Sequence, residues 1–120
     1  MKRDRNEISE RLLDFAADIL KLIARLNKTT VGRHIGSQLT RSGTSAGANY
    51  EEACGAESRA DFIHKLQLVL KELKESQYWL RLIERANLLS GQRVSLEALL
   101  QEADELTKII AKSIVTAKKK

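Results

Sequence analysis

Residues 62–83, FIHKLQLVLKELKESQYWLRLI, contain the clearest helical pattern in this sequence. Large apolar residues and one serine recur at alternating spacings of four and three, which places them on one face of an α-helix. These positions are Phe62, Leu66, Val69, Leu73, Ser76, Leu80 and Ile83. Ser58 and Asp61 resemble a capping box at the start of this helix, and Gly91 stands where a glycine ends one. We therefore predict a long helix between Ser58 and Gly91.

Two other segments have the same periodicity. In the first, the pattern is carried by Ile8, Leu12, Phe15, Ile19, Leu22 and Leu26, with a second apolar line of Leu13, Ala16, Leu20 and Ile23 beside it. So wide a stripe predicts a helix that faces two neighbours, starting at a cap of Asp4 or Asn6 and ending at Asn27. The last segment places Leu96, Leu99, Ala103, Leu106 and Ile110 inward. Ser95 is its predicted N-cap.

The segment from about Thr30 to Cys54 differs, because it contains Gly32, Gly36, Gly43 and Gly47. Four interior glycines cost a helix roughly 4 kcal/mol relative to alanine, so packing must offset the loss. One interpretation is a helix with a flat surface that another backbone approaches closely, as small residues allow between membrane helices. The alternative is a helix broken by a hinge between Gly36 and Gly43.

Composition favours the helical interpretation. Proline is absent from all 120 residues, and only five are aromatic. Four helical segments with short connections predict an all-α protein, an up-down-up-down antiparallel four-helix bundle in which residues 1–120 form a single domain. No run of apolar residues is long enough to cross a membrane, no signal core is present, and one cysteine excludes a disulfide framework. We expect a cytoplasmic protein without a membrane partner.

Residues for chemistry are few. His34 and His64 stand on different segments without a cysteine or carboxylate at ligand spacing, so no metal site is expected. Gly43–Gly47 has the outline of the G-x-S-x-G motif, but no strand precedes it as that motif requires. Cys54 is interpreted as a packing residue. The sequence therefore predicts no enzymatic activity and no cofactor.

Polar residues in two segments suggest a contact between helices. Glu72 and Glu75 are three residues apart beside the apolar seam, so one of them could reach Arg41 across the bundle. A partly buried charge network of this kind would fix helix register or the choice of partner. The competing interpretation is a solvated surface face.

Residues 38–53, QLTRSGTSAGANYEEA, resemble the signature of the four-helix-bundle proteins encoded in bacterial 23S rRNA intervening sequences. The third helical segment is similar to a companion pattern of one branch of that family, with Phe62–Leu66, Lys71 and Glu72, Glu75, and Tyr78–Leu80. The family is related to an accessory protein of diversity-generating retroelements that binds nucleic acid and a reverse transcriptase. Many relatives have a different string in place of residues 46–51, which suggests a separate branch.

The resemblance implies an antiparallel bundle that assembles into a ring-shaped homopentamer, associates with RNA and has no enzymatic activity. It also assigns a role in helix packing or oligomer contact to the two motifs. The residues expected in that role are Arg41, Ser42, Gly43, Ser45, Gly47, Asn49, Glu72, Glu75 and Trp79.

Positive charge is concentrated in two zones within the total of +5. Residues 19–50 have five cations and no acid, and residues 111–120 add four lysines. In an up-down-up-down bundle these zones lie at opposite poles. The predicted nucleic-acid contacts are Lys21, Arg25, Lys28, Arg33, Lys118, Lys119 and Lys120. A role in complementing the helix dipole is an equal alternative for the terminal lysines.

Two functions follow from these observations. The first is an oligomer that binds structured RNA through backbone phosphates, because the predicted contacts have no interleaved aromatic residues for base stacking. The second is an oligomeric scaffold or accessory subunit that docks a protein partner such as a reverse transcriptase, with the positive charge serving solubility.

Overall fold

A computed structural model describes residues 5–26, 28–89 and 94–119, and the four predicted helices are present within them. They are α1 (Arg5–Ile23), α2 (Thr30–Cys54), α3 (Arg59–Arg85) and α4 (Val94–Lys118). The described residues contain no β-strand, and their one isolated bridge is antiparallel, between Leu26 and Leu89. The all-α prediction is confirmed.

The helices form an antiparallel four-helix bundle of 47 × 26 × 20 Å. Each helix packs on its two neighbours, most extensively for α2 on α3 and least for α1 on α4, so that α1 and α3 occupy one diagonal. The bridge between Leu26 and Leu89 joins the α1–α2 and α3–α4 connections at one pole. At the other pole the Arg5 guanidinium lies 5.2 Å from the Phe62 ring centroid. The up-down-up-down prediction is therefore confirmed.

The predicted apolar seams form the core. Each helix contributes one buried face, and the largest side chains that are almost wholly buried are Leu12, Phe15, Ile19, Leu22, Leu39, Leu66, Leu73, Leu80, Ile83, Leu96, Leu106 and Ile110. Ser42 and Ser76 are also fully buried, one on α2 and one on α3. The core is thus apolar except where these two helices face each other.

The glycine-rich segment is one continuous helix, so the hinge interpretation is wrong. Thr29 caps it, because the Thr29 hydroxyl accepts a hydrogen bond from the Gly32 amide at 3.0 Å. A Cβ at Gly43 would lie 2.4 Å from Ile19 Cδ1, and one at Gly36 would lie 3.3 Å from side chains of Ile23 and Leu26. A side chain at position 43 would therefore require the end of the Ile19 side chain to move, so close packing of α1 on α2 favours glycine there.

The structure corrects two predictions for α1. The helix ends at Ile23, and Leu26 is buried in the connection that follows. Asn27, its predicted end, and Asp4, a predicted cap, lie outside the described residues. The second apolar line does not face a neighbour throughout, since Leu13 is 62% and Leu20 49% exposed. The width of an apolar stripe in the sequence shows how many apolar residues share one side of a helix. It does not show which of them a neighbouring helix buries.

The boundaries around the α3–α4 connection also differ from prediction. The Ser58 hydroxyl accepts a hydrogen bond from the Asp61 amide at 3.1 Å, as the capping pattern predicts. However, α3 ends at Arg85, and Asn87 has a positive φ of 55°. Asparagine adopts this left-handed conformation more readily than most residues, so the helix ends ahead of Gly91, which lies outside the described residues. Ser95 lies inside α4, which begins at Val94, and is therefore not its N-cap.

Candidate functional site

Arg41 on α2 contacts two glutamates on α3. Its Nη1 donates to Glu72 Oε1 at 3.2 Å, and its Nη2 donates to Glu75 Oε2. The Glu75 carboxylate also accepts a hydrogen bond from Trp79 Nε1 at 3.0 Å. Bonds from Arg41 and Trp79 lower the pKa of Glu75, and the two carboxylates raise the pKa of Arg41. Arg41 therefore pairs with both glutamates, and 47% of its side chain is exposed. A role of this network in helix register or partner choice stays a prediction.

A buried hydroxyl pair lies between the same two helices. Ser42 Oγ and Ser76 Oγ are 2.9 Å apart, and the Ser76 hydroxyl also lies 2.9 Å from the Glu72 carbonyl oxygen. A chain of bonds in which Ser42 donates to Ser76 and Ser76 donates to Glu72 satisfies both hydroxyls. Ser42 Oγ also lies 3.4 Å from the Leu39 carbonyl oxygen, so each hydroxyl has an acceptor within its own helix. A slip of one helix along the other would break the bond between the two hydroxyls, so this pair favours the observed register of α2 on α3.

The other predicted packing residues of the α2 motif, residues 38–53, do not take part in the contact between α2 and α3. Gly43 and Gly47 face α1, where a Cβ at Gly47 would meet Leu12 at an ordinary 3.6 Å. The Asn49 side-chain amide donates to the Ser45 carbonyl oxygen at 2.9 Å, a bond within α2. The α2 motif therefore packs through two faces of the helix. Its polar residues contact α3, and its glycines contact α1.

The basic residues near the first connection are exposed. Lys21 lies 4.0 Å from Asp18, and Arg25 Nη1 donates to Ser95 Oγ at 3.4 Å. Lys28 and Arg33 line a cleft of about 250 Å³ that also has Gly36 and Thr40 in its wall. The structure therefore places the four predicted cations Lys21, Arg25, Lys28 and Arg33 at one pole.

The terminal lysines lie at the opposite pole. Lys118 is the last residue of α4, and Lys119 follows it; both are exposed. Lys120 lies outside the described residues. Because α4 runs antiparallel to α3, this end of the chain is near the α2–α3 connection. The two predicted basic zones are therefore separated along the long axis of the bundle.

A second arginine contact was missed by sequence reasoning. Arg11 on α1 donates from Nε to Glu102 at 2.9 Å and from Nη2 to both Glu102 and Glu105 on α4, at 2.6 and 3.2 Å. The hydrogen bonds that Arg11 donates to Glu102 make the largest contribution to raising the pKa of Arg11. The signal was present in the sequence, since Glu102 and Glu105 have the same spacing of three as Glu72 and Glu75.

Side chains for metal or nucleophilic chemistry do not converge in the part of the chain that the structure describes. No three His, Cys, Asp or Glu residues there are grouped to hold a metal ion. His34 and His64 are exposed on separate helices. Cys54 is half-buried, and burial together with Cys54 raises the pKa of Tyr50 to about 12.

None of the described helices is long and apolar enough to cross a membrane.

Fold and packing together define the class of protein: a four-helix bundle whose second and third helices are joined by buried hydroxyls and an arginine with two glutamates. The model of the 23S rRNA-intervening sequence protein family matches residues 4–112. The chain belongs to this family.

A solved structure is also similar. It is the crystal structure of a protein with unknown function from the S23 ribosomal protein family of Bacteroides thetaiotaomicron VPI-5482. The two chains are 37% identical, the match covers 89% of this chain and 97% of that one, and the TM-score is 0.80. A comparison with functionally curated proteins finds no significant match.

Proposed function

We propose that this chain is a non-enzymatic, homo-oligomeric cytoplasmic protein that binds structured RNA through backbone phosphates. The observation that carries the proposal is the cluster of Lys21, Arg25, Lys28 and Arg33 at the α1–α2 pole, where all four side chains are exposed. Asp18 and Glu102 line a cleft together with Lys21 and Arg25, whereas residues 19–50 contain no acid. Membership of a family described by rRNA intervening sequences is consistent with an RNA ligand.

The local backbone adds to the positive potential at this pole. The amino end of α2 lies beside Lys28 and Arg33, and its first turn contains no acidic residue. A helix amino terminus bears a partial positive charge, and here no carboxylate of the first turn offsets it. Phosphate groups are therefore attracted by two side chains and by the helix itself.

Salt dependence tests this proposal. Binding to phosphates releases counterions, so affinity for a structured RNA should fall steeply as salt rises. Replacing Lys28 and Arg33 with alanine should weaken binding and reduce the slope of log affinity against log salt by about one per lost contact. The matched control is Lys108→Ala, an exposed lysine on α4 that lies outside both basic zones. A wild-type protein that binds no structured RNA even at low ionic strength would refute the proposal.

Self-association is supported by the outer face of α1. Leu13 and Leu20 are both exposed and stand two helical turns apart on one side of that helix. Beside them, α2 presents small exposed residues such as Ser37, Thr44 and Ala48. Exposed apolar residues that form a contiguous patch mark contact surfaces, and these two leucines lie on the same side of α1. The pentameric ring that the family resemblance implies would cover them and would multiply the basic pole by the number of subunits.

Particle mass tests the ring. Light scattering should report a pentamer for the wild type and a smaller particle for Leu13→Lys with Leu20→Lys. A control variant, Val115→Lys, changes an exposed apolar residue on α4 and should leave the mass unchanged. A wild-type protein with the mass of a monomer would refute the proposed ring.

The same leucines favour the second candidate, an accessory subunit that docks a protein partner such as a reverse transcriptase. In that case the leucine variant would keep its particle mass and lose capture of the partner. The two measurements together separate a self-contact from a contact with another protein.

A further inference from the structure

The exposed positions of α3 form one stripe along the outside of the bundle. From Gln67 to the end of the helix they are Gln67, Lys71, Lys74, Tyr78, Arg81 and Arg85. Their spacings alternate between four and three, so these six side chains share a single helical face. The stripe contains four cations, one aromatic ring and no acid. From Lys71 to Arg85 it is about 21 Å long at 1.5 Å per residue.

The acids of α3 turn away from this stripe. Glu72 and Glu75 are bonded to Arg41 of α2, and Glu84 is half-buried. In the described part of the chain, Lys74 and Arg81 form no ion pair, and neither does Arg85. Summed along the sequence, residues 51–110 are net acidic, with eleven acids and eight Lys or Arg. In the folded chain the cations of α3 lie on its exposed face and the acids named above do not, so the outer face of α3 is basic.

Tyr78 lies in the middle of the stripe and is 58% exposed. The Trp79 ring packs against it edge to face, with centroids 5.1 Å apart and an interplanar angle of 74°. Trp79 is in turn bonded to Glu75, which Arg41 binds. The tyrosine ring is therefore supported on one side by the α2–α3 network while most of its surface faces solvent.

We propose that this face of α3 is a second RNA contact, in which Tyr78 stacks on an unpaired base and the flanking Lys74, Arg81 and Arg85 bind adjacent phosphates. The inference rests on the proposed RNA association and names the part of the RNA that this face would recognise. A basic groove or stripe that includes an exposed aromatic ring suits unpaired nucleotides, because every base has a face that stacks. A duplex keeps its bases stacked on each other, so it offers phosphates, 2′-hydroxyls and base edges but no free base face for a ring to stack on.

A second copy of this chain is the competing occupant, since the outer face of α1 has exposed acids such as Glu10, Asp14 and Asp18. However, α1 and α3 lie on one diagonal of the bundle. A contact between them would join opposite faces of successive copies head to tail, and such a contact closes into a ring only if each step also rotates the subunit. The exposed Tyr78 ring among the cations, which pairing with a carboxylate surface would not use, favours RNA as the occupant.

The test compares two RNAs of equal length, a hairpin with an unpaired loop and a blunt duplex, by fluorescence anisotropy. We expect Tyr78→Ala to bind the hairpin about 10-fold more weakly and the duplex as the wild type does. Tyr78→Phe, which keeps the ring, should bind the hairpin within about 2-fold of the wild type. Arg81→Gln should weaken both RNAs and reduce the salt slope by about one. Because Tyr78 and Arg81 are exposed, these variants should keep the wild-type circular dichroism spectrum.

Three results would overturn this inference in distinguishable ways. If Lys28→Ala with Arg33→Ala weakens binding but Tyr78→Ala changes neither RNA, the RNA association stands and the α3 contact does not. If Arg81→Glu changes particle mass, the stripe is an interface between copies. If the wild type binds neither RNA at low salt, the proposed function itself fails.

Discussion

The α2–α3 and α1–α4 helix pairs are joined by the same charged arrangement but pack differently. In each pair an arginine binds two glutamates three residues apart, Arg41 in the first and Arg11 in the second. Beneath Arg41 the helices meet at buried serines. Between Glu102, the partner of Arg11, and the α1–α2 connection, these helices leave a cleft of about 250 Å³ whose wall includes Leu22 and Ala98. An arginine with two carboxylates thus links helices without setting how closely they pack; small buried side chains do that.

Enlarging a small residue to leucine should have opposite effects at the two pairs. Ser76→Leu would place a large side chain where Ser76 is fully buried against Ser42, and we expect a loss of about 3 kcal/mol from overpacking and from the broken hydrogen bond. The matched change is Ala98→Leu, which partly fills the α1–α4 cleft and should stabilise by about 0.5–1 kcal/mol. Urea unfolding measures both. Equal destabilisation by the two variants would contradict the proposed difference in packing between the α2–α3 and α1–α4 helix pairs.

Removing both buried hydroxyls should cost no more than removing one. Ser76→Ala leaves the Ser42 hydroxyl with the Leu39 carbonyl oxygen at 3.4 Å as its remaining bond, and we expect a loss of about 1–2 kcal/mol. The double variant with Ser42→Ala has no unsatisfied hydroxyl, so its loss should be no larger than that of the single variant. A double-mutant cycle by thermal unfolding gives the coupling between them. Strict additivity of the two losses would contradict a direct bond.

The two arginines should differ in their contribution to stability. Arg11 is 22% exposed and Arg41 is 47% exposed, so water screens the second pair more strongly. We expect Arg11→Ala to lower the free energy of unfolding by about 1–2 kcal/mol and Arg41→Ala by less than about 1 kcal/mol. Arg33→Ala, an exposed arginine on α2, is the control and should change stability by no more than about 0.5 kcal/mol. If Arg41→Ala changes neither thermal stability nor particle mass, its network has no role in register or assembly.

Acid should weaken the α2–α3 network through Glu75. The pKa of this carboxyl is lowered in the folded chain, so its stabilising contribution is present above its ordinary pKa and is lost as pH falls through the lowered value. We therefore expect Glu75→Gln to destabilise at about pH 7 and to have a smaller effect at about pH 3. Urea midpoints at the two pH values measure the difference. The effect is small because the group is partly exposed, and a deficit that stays constant across this range would rule out the titration.

The apolar pattern predicted the bundle because core residues are selected for one face and recur at helical spacing. Leu66, Val69 and Leu73 are examples, and each is fully buried. The pairing of Arg41 was predictable for the same reason, since Glu72 and Glu75 stand next to the seam. Helix ends were less predictable: α3 ends before Gly91 because Asn87 takes the left-handed conformation that glycine was expected to provide.

Charges could not be assigned to surfaces from the sequence alone. The cations of α3 were hidden in a net acidic segment, and their common direction appears only when each helix is placed against its neighbours. The contact of Arg11 was missed because α1 and α4 are far apart in sequence. Exposure of Leu13 and Leu20 was missed because periodicity does not show which apolar side chains a neighbouring helix will cover.

The glycines of α2 have a consequence for the order of folding. A segment with four glycines has little tendency to nucleate a helix in the unfolded chain, whereas the alanine-, leucine- and glutamate-rich helices around it have more. The hydroxyls of Thr40 and Thr44, which bond to carbonyl oxygens one turn earlier, do not add to that tendency. We expect α2 to become helical late, on a surface already formed by α1 and α3. The helix that contains the family motif would then be the one whose structure depends most on its neighbours.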